Sequence, residues 1–276
     1  MDMSKAFDTI SHDILFKKLI NRGTPDYIVS LLREWYVHQQ VVVNWAGALS
    51  QPFYTTCGVR QGGILSALLF NVYMDDLSNE LSKCNIGCTL GPKIINHVIY
   101  ADDIVVFSPS LKGLQALTDI CCKYMVDNYL KLNTKKTKCM KFEKKKVQPI
   151  CNQDLYIGGK KIEVVNKIKY LGFYLTSNDK DDDHIEHLYR GLCGRTNMLL
   201  RIFGKCDQET KLVLFRSFCS SLYCISLISN FKLSTLSRLK VCHNTGLKMT
   251  LEHLDRQVPH NCLYSITCPH SLSYVG

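Results

Sequence analysis

Apolar side chains recur at helical spacing over several stretches of this chain. Ser11 is a typical N-terminal capping residue just ahead of the first stretch, and Gly23 is a typical terminating residue just after it. In the second stretch, the predicted apolar face consists of Ile28, Leu31, Leu32 and Trp35. The pattern predicts helices over residues 12–20, 25–36, 66–81, 112–130 and most of 184–254.

Short runs rich in β-branched residues lie between these helices and predict strands. The pair Gly158-Gly159 predicts a hairpin turn. The run Asp179–Asp183 is interpreted as a solvated acidic turn that separates a mixed α+β unit, residues 1–178, from a helical unit, residues 179–276. The predicted strands cover 41–45, 51–55, 138–142, 155–157, 161–164 and 169–175.

The composition is that of an ordinary globular protein, with 276 residues, 46% hydrophobic and 21% charged. No apolar run is long enough to cross a membrane, and the first residues lack a signal-peptide pattern, so we expect an intracellular protein with no membrane partner. The chain has 14 cysteines, which we expect to be reduced thiols. The spacing of His260, Cys262, Cys268 and His270 suits no common zinc finger.

The net charge of +10 is unevenly distributed along the chain. Residues 131–169 contain twelve lysines and three acids. Such a cationic segment indicates a polyanionic partner, although a solvated lysine-rich face without a partner has the same composition.

Two adjacent carboxylates, Asp102 and Asp103, lie between two apolar runs in the sequence Tyr100-Ala101-Asp102-Asp103. This pattern predicts two buried strands joined by a tight turn. Two neighbouring carboxylates repel each other unless a cation lies nearby, and Mg²⁺ is a typical cation for such ligands. The alternative is a solvated hairpin tip without a function.

Four other segments accompany this turn, and each is a weak signal alone. Asp2 is an acid that would share cations with Asp102 if both lay in one sheet. The loop Gly58–Gly63 precedes a helix, as phosphate-binding loops do. The other two segments are a lysine-rich loop, residues 132–138, and an aromatic stretch, residues 169–173.

Together, in this order, these five segments resemble the reverse transcriptase family, in particular the polymerase of non-LTR (LINE-type) retrotransposons of the jockey/CR1-like branch. The resemblance covers about residues 2–176. It implies a right-hand polymerase palm, which is an antiparallel sheet with helices on one face, followed by an all-helical thumb. It also implies that the fingers are largely missing and that the chain is truncated at its N-terminus.

The resemblance implies the chemistry of RNA-directed DNA synthesis. Asp2, Asp102 and Asp103 would hold two Mg²⁺ ions, with Mn²⁺ as an alternative. Lys136 would lie near the pyrophosphate as a catalytic group. The implied partners are an RNA template, a DNA primer and deoxynucleoside triphosphates.

Further residues receive binding roles from the resemblance. Phe7 would exclude a 2′-hydroxyl from the site. The nucleotide would contact Phe7 together with Arg60, Gln61 and Gly62. The primer grip would consist of Tyr170, Leu171, Gly172 and Phe173. Nucleic acid would also contact Lys135, Lys138, Arg190, Arg195, Arg201 and Lys205.

The chain departs from the family pattern in the glycine loop. The family usually has Pro at the position of Arg60, Ser at Gly63 and Pro at Ala67. With the fingers largely missing, Asp2 is also expected to be a frayed terminal residue with little to hold it near Asp102. An alternative function is therefore a catalytically inactive remnant that binds RNA or DNA through the lysine-rich surface. An unrelated metal-binding hairpin domain is a third interpretation.

Overall fold

The computed structural model describes residues 1–142, 154–220, 222 and 225–252. The cysteine and histidine cluster near residue 265 and part of the lysine-rich segment lie outside these residues. The chain divides into two compact units, residues 1–139 with 149–164, and residues 140–148 with 165–276. The boundary expected after residue 178 falls within the second unit, because Phe173 packs in the same core as Ile185 and Leu192.

Four helices form the framework of the first unit. Ser11 caps the first of them as predicted, since its side chain accepts a hydrogen bond from the Ile14 amide (3.5 Å). In the second helix the buried residues are Val29, Leu32 and Tyr36, so the predicted face is confirmed at Leu32 but is displaced at Leu31 and Trp35, which are exposed. The helices are α1 (His12–Asn21), α2 (Asp26–Val37), α3 (Ile64–Lys83) and α4 (Leu111–Asp127).

The strands of the first unit are short. They are β1 (Gln40–Val41), β2 (Asn44–Trp45), β3 (Ala48–Leu49), β4 (Phe53–Tyr54), β5 (Cys88–Leu90), β6 (Lys93–Ile95), β7 (His97–Tyr100), β8 (Asp103–Val106), β9 (Lys138–Cys139), β10 (Tyr156–Ile157), β11 (Lys160–Lys161) and β12 (Glu163–Val164). In the described part of the chain they pair two by two, as β1–β4, β2–β3, β5–β6, β7–β8, β10–β11 and the parallel pair β9–β12. The fold is mixed α/β, with pairs of strands where one antiparallel sheet was predicted.

Residues 1–4 lie between the β7–β8 hairpin and the segment that follows α4. On one side, the Ile104 amide donates to the Met1 carbonyl (3.2 Å). On the other side, the Ser4 amide donates to the Lys131 carbonyl (2.8 Å), and Met3 and Leu132 form an antiparallel bridge. These bonds place three extended segments next to one another.

The core of the first unit is built mainly by α3 and α4. Phe70, Tyr73, Leu77 and Leu117 are fully buried there. The Tyr73 hydroxyl donates to the carbonyl of Asn128 at the end of α4 (2.7 Å), so a buried polar group is satisfied by the neighbouring helix.

The second unit begins with a hairpin and continues as helices. Its core includes Leu192 and Leu199, whereas Ile202, on the same helix, is 57% exposed. The elements are β13 (Lys167–Tyr170), β14 (Phe173–Thr176), α5 (Asp182–Phe203), α6 (Gln208–Leu214), a π-helical turn (Phe215–Cys219), a 3₁₀ turn (Ile225–Leu227) and α7 (Leu233–Glu252). No helix among the described residues is both apolar and long enough to span a bilayer.

The acidic run before α5 is an anchor for the segment that leads into α7, so its interpretation as a solvated turn was wrong. The Asp181 carboxylate accepts the amides of Ser229 (2.7 Å) and Asn230 (2.8 Å). The Asp182 carboxylate accepts the Lys232 amide (3.0 Å) and the Thr235 hydroxyl (2.7 Å). The hydrogen bonds from Thr235 and Lys232 hold the pKa of Asp182 below its usual range.

Candidate active site

The Tyr-Ala-Asp-Asp sequence forms the predicted tight turn between β7 and β8. Tyr100 pairs with Asp103, and Ile99 pairs with Ile104, in an antiparallel register. The turn places Ala101 at φ +51°, a left-handed conformation that residues other than glycine rarely adopt. Ile104 is buried, whereas Asp102 and Asp103 are half-buried. The apolar strands therefore fix a turn that carries two carboxylates.

Asn96 anchors the base of this hairpin. Its buried side-chain amide donates to the carbonyls of Leu81 (2.7 Å) and Ile86 (2.8 Å). Its side-chain oxygen lies 2.7 Å from Nδ1 of His97, and the other ring nitrogen lies 2.8 Å from the Ser78 hydroxyl. Burial lowers the pKa of His97, which favours the neutral ring. The hairpin is thus tied to the end of α3.

Asp2 lies beside the hairpin, opposite Asp103. The amino group of Met1 donates to the Ile104 carbonyl (2.5 Å), and the Ile104 amide donates back to Met1 (3.2 Å). In an antiparallel ladder, the next residue along one strand faces the preceding residue of the other. Asp2 and Asp103 therefore form a directly opposed pair, with side chains on the same face.

Two residues of the lysine-rich loop hold Asp2 from its other side. The Asp2 amide donates to the Thr137 hydroxyl (3.2 Å), and the Asn133 amide donates to the Asp2 carbonyl (2.8 Å). Thr137 is buried. The backbone of Asp2 is therefore bonded to the loop by both of its polar groups, and the expectation of a frayed residue was wrong.

The electrostatics of the three acids favour a cation. Burial raises the pKa of Asp103, and the charges of Asp102 and Asp2 raise it further, although the nearby amino group of Met1 opposes this rise. One carboxylate oxygen of Asp2, Oδ2, is buried and accepts no hydrogen bond. Carboxylate oxygens are the ligands that Mg²⁺ prefers, so an orphaned carboxylate next to two others fits a divalent cation. Within the described ranges, however, no three acidic, histidine or cysteine side chains are already assembled as an ion site.

Phe7 and the glycine loop form a second part of the site. The Phe7 ring stacks on the buried ring of Phe70, with centroids 4.7 Å apart. Gly58 has φ +89°, and a Cβ there would lie 2.9 Å from the Asp8 carbonyl oxygen and 3.0 Å from that of Phe7. Only glycine fits this approach. The Gln61 side-chain amide donates to Asp8 Oδ1 (3.1 Å), so the loop is tied to the segment that carries Phe7.

Arg60 and Gly62 lie on the outer side of this loop. The Arg60 guanidinium lies over the Trp35 ring of α2, 5.3 Å from its centroid. Gly62 is exposed and has φ +81°. The charge that departs from the family pattern thus contacts an aromatic side chain of α2.

The predicted lysines of the 132–138 loop have different environments. Lys135 and Lys136 are exposed, and the Lys136 amide donates to the Asn133 side chain (3.2 Å). Lys138 instead forms an ion pair with Glu163. Part of its charge is therefore already neutralised within the unit.

The predicted primer-grip residues form the turn of the β13–β14 hairpin in the second unit. Leu171 (φ +46°) and Gly172 (φ +84°) are the two turn residues. Leu171 is 46% exposed, and Tyr170 is half-buried. Phe173 is buried in the core, where the centroid of its ring lies 4.0 Å from that of the His184 ring. Phe173 is therefore a core residue as well as a member of the predicted grip.

The predicted cationic contacts on α5 and after it also belong to the second unit. Arg190 pairs with Glu186 one helical turn away (3.2 Å). Arg195 is half-buried, and its Nε atom is buried without a hydrogen-bond partner. Arg201 and Lys205 are exposed.

Sequence reasoning missed the residues that hold the acids in place. Thr137 and Asn133 were noted only as members of a basic loop, and Asn96 was not singled out. The signal for Asn96 was its polar side chain immediately before a predicted buried strand. Nothing in the local pattern indicates that Thr137 bonds to a residue more than a hundred positions earlier.

Comparisons with known proteins show which family this chain resembles. Residues 1–175 match the family described as "Reverse transcriptase (RNA-dependent DNA polymerase)". A "Retrovirus-related Pol polyprotein from type-2 retrotransposable element R2DM" of Drosophila melanogaster is 33% identical over 186 residues, which cover 65% of this chain and 18% of that protein. An "RNA-directed DNA polymerase from mobile element jockey" of Drosophila funebris is 24% identical over 225 residues, which cover 78% of this chain and 24% of that protein.

A further relative, the "Retrovirus-related Pol polyprotein from type-1 retrotransposable element R2" of Popillia japonica, is 28% identical over 204 residues, or 70% of this chain. The matched regions span between 18% and 33% of the length of these three relatives. The motifs resembled the jockey/CR1-like branch in particular. Of the relatives described here, however, the R2 element of Drosophila melanogaster has a higher sequence identity to this chain than the jockey element has.

Proposed function

The chain belongs to the reverse transcriptase family, as its motifs predicted, and we propose that it carries the nucleotidyl-transfer site of an RNA-directed DNA polymerase from a non-LTR retrotransposon. The substrates would be deoxynucleoside triphosphates, added to a DNA primer on an RNA template. The first unit would supply the palm, and the helices of the second unit would supply the thumb.

The observation that carries this proposal is the opposition of Asp2 and Asp103. Backbone bonds on both sides of Asp2 hold its carboxylate on the face of Asp103, and its Oδ2 atom is buried without a partner. Asp2, Asp102 and Asp103 would hold two Mg²⁺ ions, or Mn²⁺. When bound, such ions activate the primer 3′-hydroxyl and stabilise the departing pyrophosphate.

Three other residues would position the nucleotide and its leaving group. Phe7, braced by Phe70, would lie under the sugar and exclude a 2′-hydroxyl by its bulk. Gln61 would contact the sugar region from a loop that its bond to Asp8 keeps close to Phe7. Lys136, which is exposed in the same loop that holds Asp2, would donate a proton to the pyrophosphate.

The template–primer duplex would be bound mainly through its phosphates. The exposed cations Lys135, Arg201 and Lys205 form no ion pair with another described residue and can contact a backbone directly, whereas Lys138 and Arg190 would exchange an existing carboxylate partner for a phosphate. Such binding tolerates any sequence and weakens steeply with salt. Tyr170–Phe173 would contact the primer strand.

Primer extension on an RNA template with Mg²⁺ tests the proposal. The comparison uses the chain itself, the variant Asp102→Asn with Asp103→Asn, and a control with the exposed acids Asp13→Asn and Asp127→Asn. We expect extension by the chain and the control, and a loss of at least about 10³-fold in the double variant. Equal extension by the double variant would contradict the proposal.

A second candidate is binding of RNA or DNA without catalysis. It is favoured by one observation, namely that no three candidate ligands in the described ranges are already assembled as an ion site. Duplex binding by a chain that extends no primer, even with Mn²⁺, would support this candidate over the first.

A further inference from the structure

Tyr174 is surrounded by cationic side chains in the second unit. The ammonium group of Lys167 lies 4.6 Å from the centroid of its ring, and that of Lys169 lies 5.9 Å from it. The His187 ring of α5 meets the same ring edge-on, with centroids 4.8 Å apart. A strand and a helix thus present three nitrogen donors around one aromatic side chain.

The two lysines are placed by the register of the hairpin. Lys167 and Lys169 alternate along β13, so both lie on the face that carries Tyr174, which is paired with Lys169. Alternate residues of a strand are about 6.5 Å apart. Both lysines and His187 are exposed and are accessible to a ligand.

Positive charge exceeds negative charge in this cluster. Asp183 is the acid that pairs with Lys167, at 3.5 Å, and it is itself largely exposed. Burial lowers the pKa of His187, and the charges of Lys169, Lys167 and Arg195 lower it further. The cations around His187 therefore oppose its protonation until an anion offsets them.

Two other groups near His187, Glu186 and His184, have partners within the second unit, whereas the Nε atom of Arg195 and the Nε2 atom of His184 have no hydrogen-bond partner among the described residues. Glu186 pairs with Arg190 on α5 and with Arg238 on α7 (3.1 Å). His184, one turn before His187, accepts the Tyr174 amide at Nδ1 (3.4 Å) and packs on Phe173.

We propose that Lys167, Lys169 and His187, arranged around Tyr174, bind one phosphodiester of a nucleic-acid backbone, and that His187 gains a proton when this phosphate binds. The lysine ammonium groups and the imidazolium donate to the phosphate oxygens. Tyr174 fixes the position of all three donors through its ring. This inference rests on the proposed function in one respect, namely that the ligand is a nucleic acid.

The sign of the pH dependence follows from the charges. A bound phosphate offsets the positive charge of the lysines and so raises the pKa of His187 above its value in the free protein. The bound state then holds more protons, so the affinity rises as the pH falls through the interval between the two pKa values.

The test is the affinity of the full chain for an RNA–DNA hybrid duplex, measured by fluorescence anisotropy at fixed ionic strength from pH 7.5 to pH 5.5. The variants are His187→Gln, Lys167→Gln with Lys169→Gln, and the control Lys248→Gln, which alters an exposed lysine of α7. We expect the affinity of the chain to rise by up to about 10-fold per pH unit of linked protonation, and His187→Gln to remove that rise. In a separate salt titration at pH 7.5, the double lysine variant should lower the slope of log affinity against log salt concentration by about 1, as expected for one phosphate, and the control should match the unaltered chain.

Two results would overturn the site. One is a wild-type pH dependence in His187→Gln together with an unchanged salt slope in the double lysine variant. The other is competition for the duplex by millimolar inorganic phosphate beyond that of chloride at equal ionic strength, which would mean that the site takes free phosphate. Absence of duplex binding by the unaltered chain would instead contradict the proposed polymerase function.

Discussion

The two hairpins, β7–β8 in the first unit and β13–β14 in the second, have the same backbone plan. Each has four paired residues on either strand, a two-residue turn, and a tyrosine at the end of its first strand. Each follows an asparagine whose carbonyl closes the hairpin, since Asn96 accepts the Phe107 amide and Asn166 accepts the Ser177 amide, both at 2.9 Å.

Their side chains give these similar hairpins different chemistry. The first carries carboxylates at its turn and apolar residues along its strands, and its asparagine is buried. The second carries lysines along a strand and an apolar turn, and its asparagine is exposed. The two-residue turn and the alternation of side chains along the strands therefore determine the backbone of each hairpin. The charged side chains determine whether a hairpin suits a metal ion or a phosphate.

The largest difference in stability between matched substitutions in the two hairpins is expected at the two asparagines. Asn96→Ala removes hydrogen bonds to two buried carbonyls and should cost about 2–4 kcal/mol of unfolding free energy. Asn166→Ala, its matched control, should change stability by less than about 0.5 kcal/mol, because its side chain is exposed. Urea unfolding of both variants measures this, and equal losses would show that Asn96 is not a special anchor.

Glycine should be the more stable residue at one position of each turn, namely the first position (Ala101) in the first hairpin and the second position (Gly172) in the second. Ala101→Gly relieves a left-handed alanine and should stabilise the chain by up to about 1 kcal/mol. Gly172→Ala introduces a left-handed alanine at φ +84°, where a Cβ meets no atom within 4 Å, and should destabilise it by about 1 kcal/mol. Thermal unfolding compares the pair. Destabilisation by Ala101→Gly, or no loss in Gly172→Ala, would contradict this conformational cost.

The smallest expected effect on stability concerns Asp103. The equivalent position of the second hairpin holds the apolar Phe173. Because the folded-state pKa of Asp103 is raised, its ionisation costs stability once the pH rises through that value. Asp103→Asn should therefore raise the free energy of unfolding at pH 7 by less than about 1 kcal/mol, and this gain should vanish in acid below the unfolded-state pKa. A gain that persists unchanged in acid would rule out this electrostatic cause.

The β7–β8 turn was predictable from sequence, because polar turn residues between apolar runs are a local signal. The Gly158-Gly159 turn between β10 and β11 confirms the same rule. The β13–β14 turn was not predictable, since residues 169–175 were expected to form one continuous strand and instead turn at Leu171 and Gly172. The attachment of Asp2 to Thr137 and of Asp181 to Asn230 was not predictable, since each joins residues far apart in the chain. The displaced face of α2 has a similar cause, because Val29 and Tyr36 are buried by packing in the core of the first unit.

The central claim is that Asp2 and Asp103 share a divalent cation, and Mn²⁺ binding followed by electron paramagnetic resonance tests it most directly. Asp2→Asn and Asp103→Asn keep the backbone bonds available and remove one carboxylate each, while Asp127→Asn removes an exposed carboxylate on α4 as a control. We predict that each of the first two variants weakens Mn²⁺ binding by at least about 10-fold and that the control binds normally. Unchanged Mn²⁺ affinity in Asp2→Asn, with a loss in Asp103→Asn alone, would contradict the account.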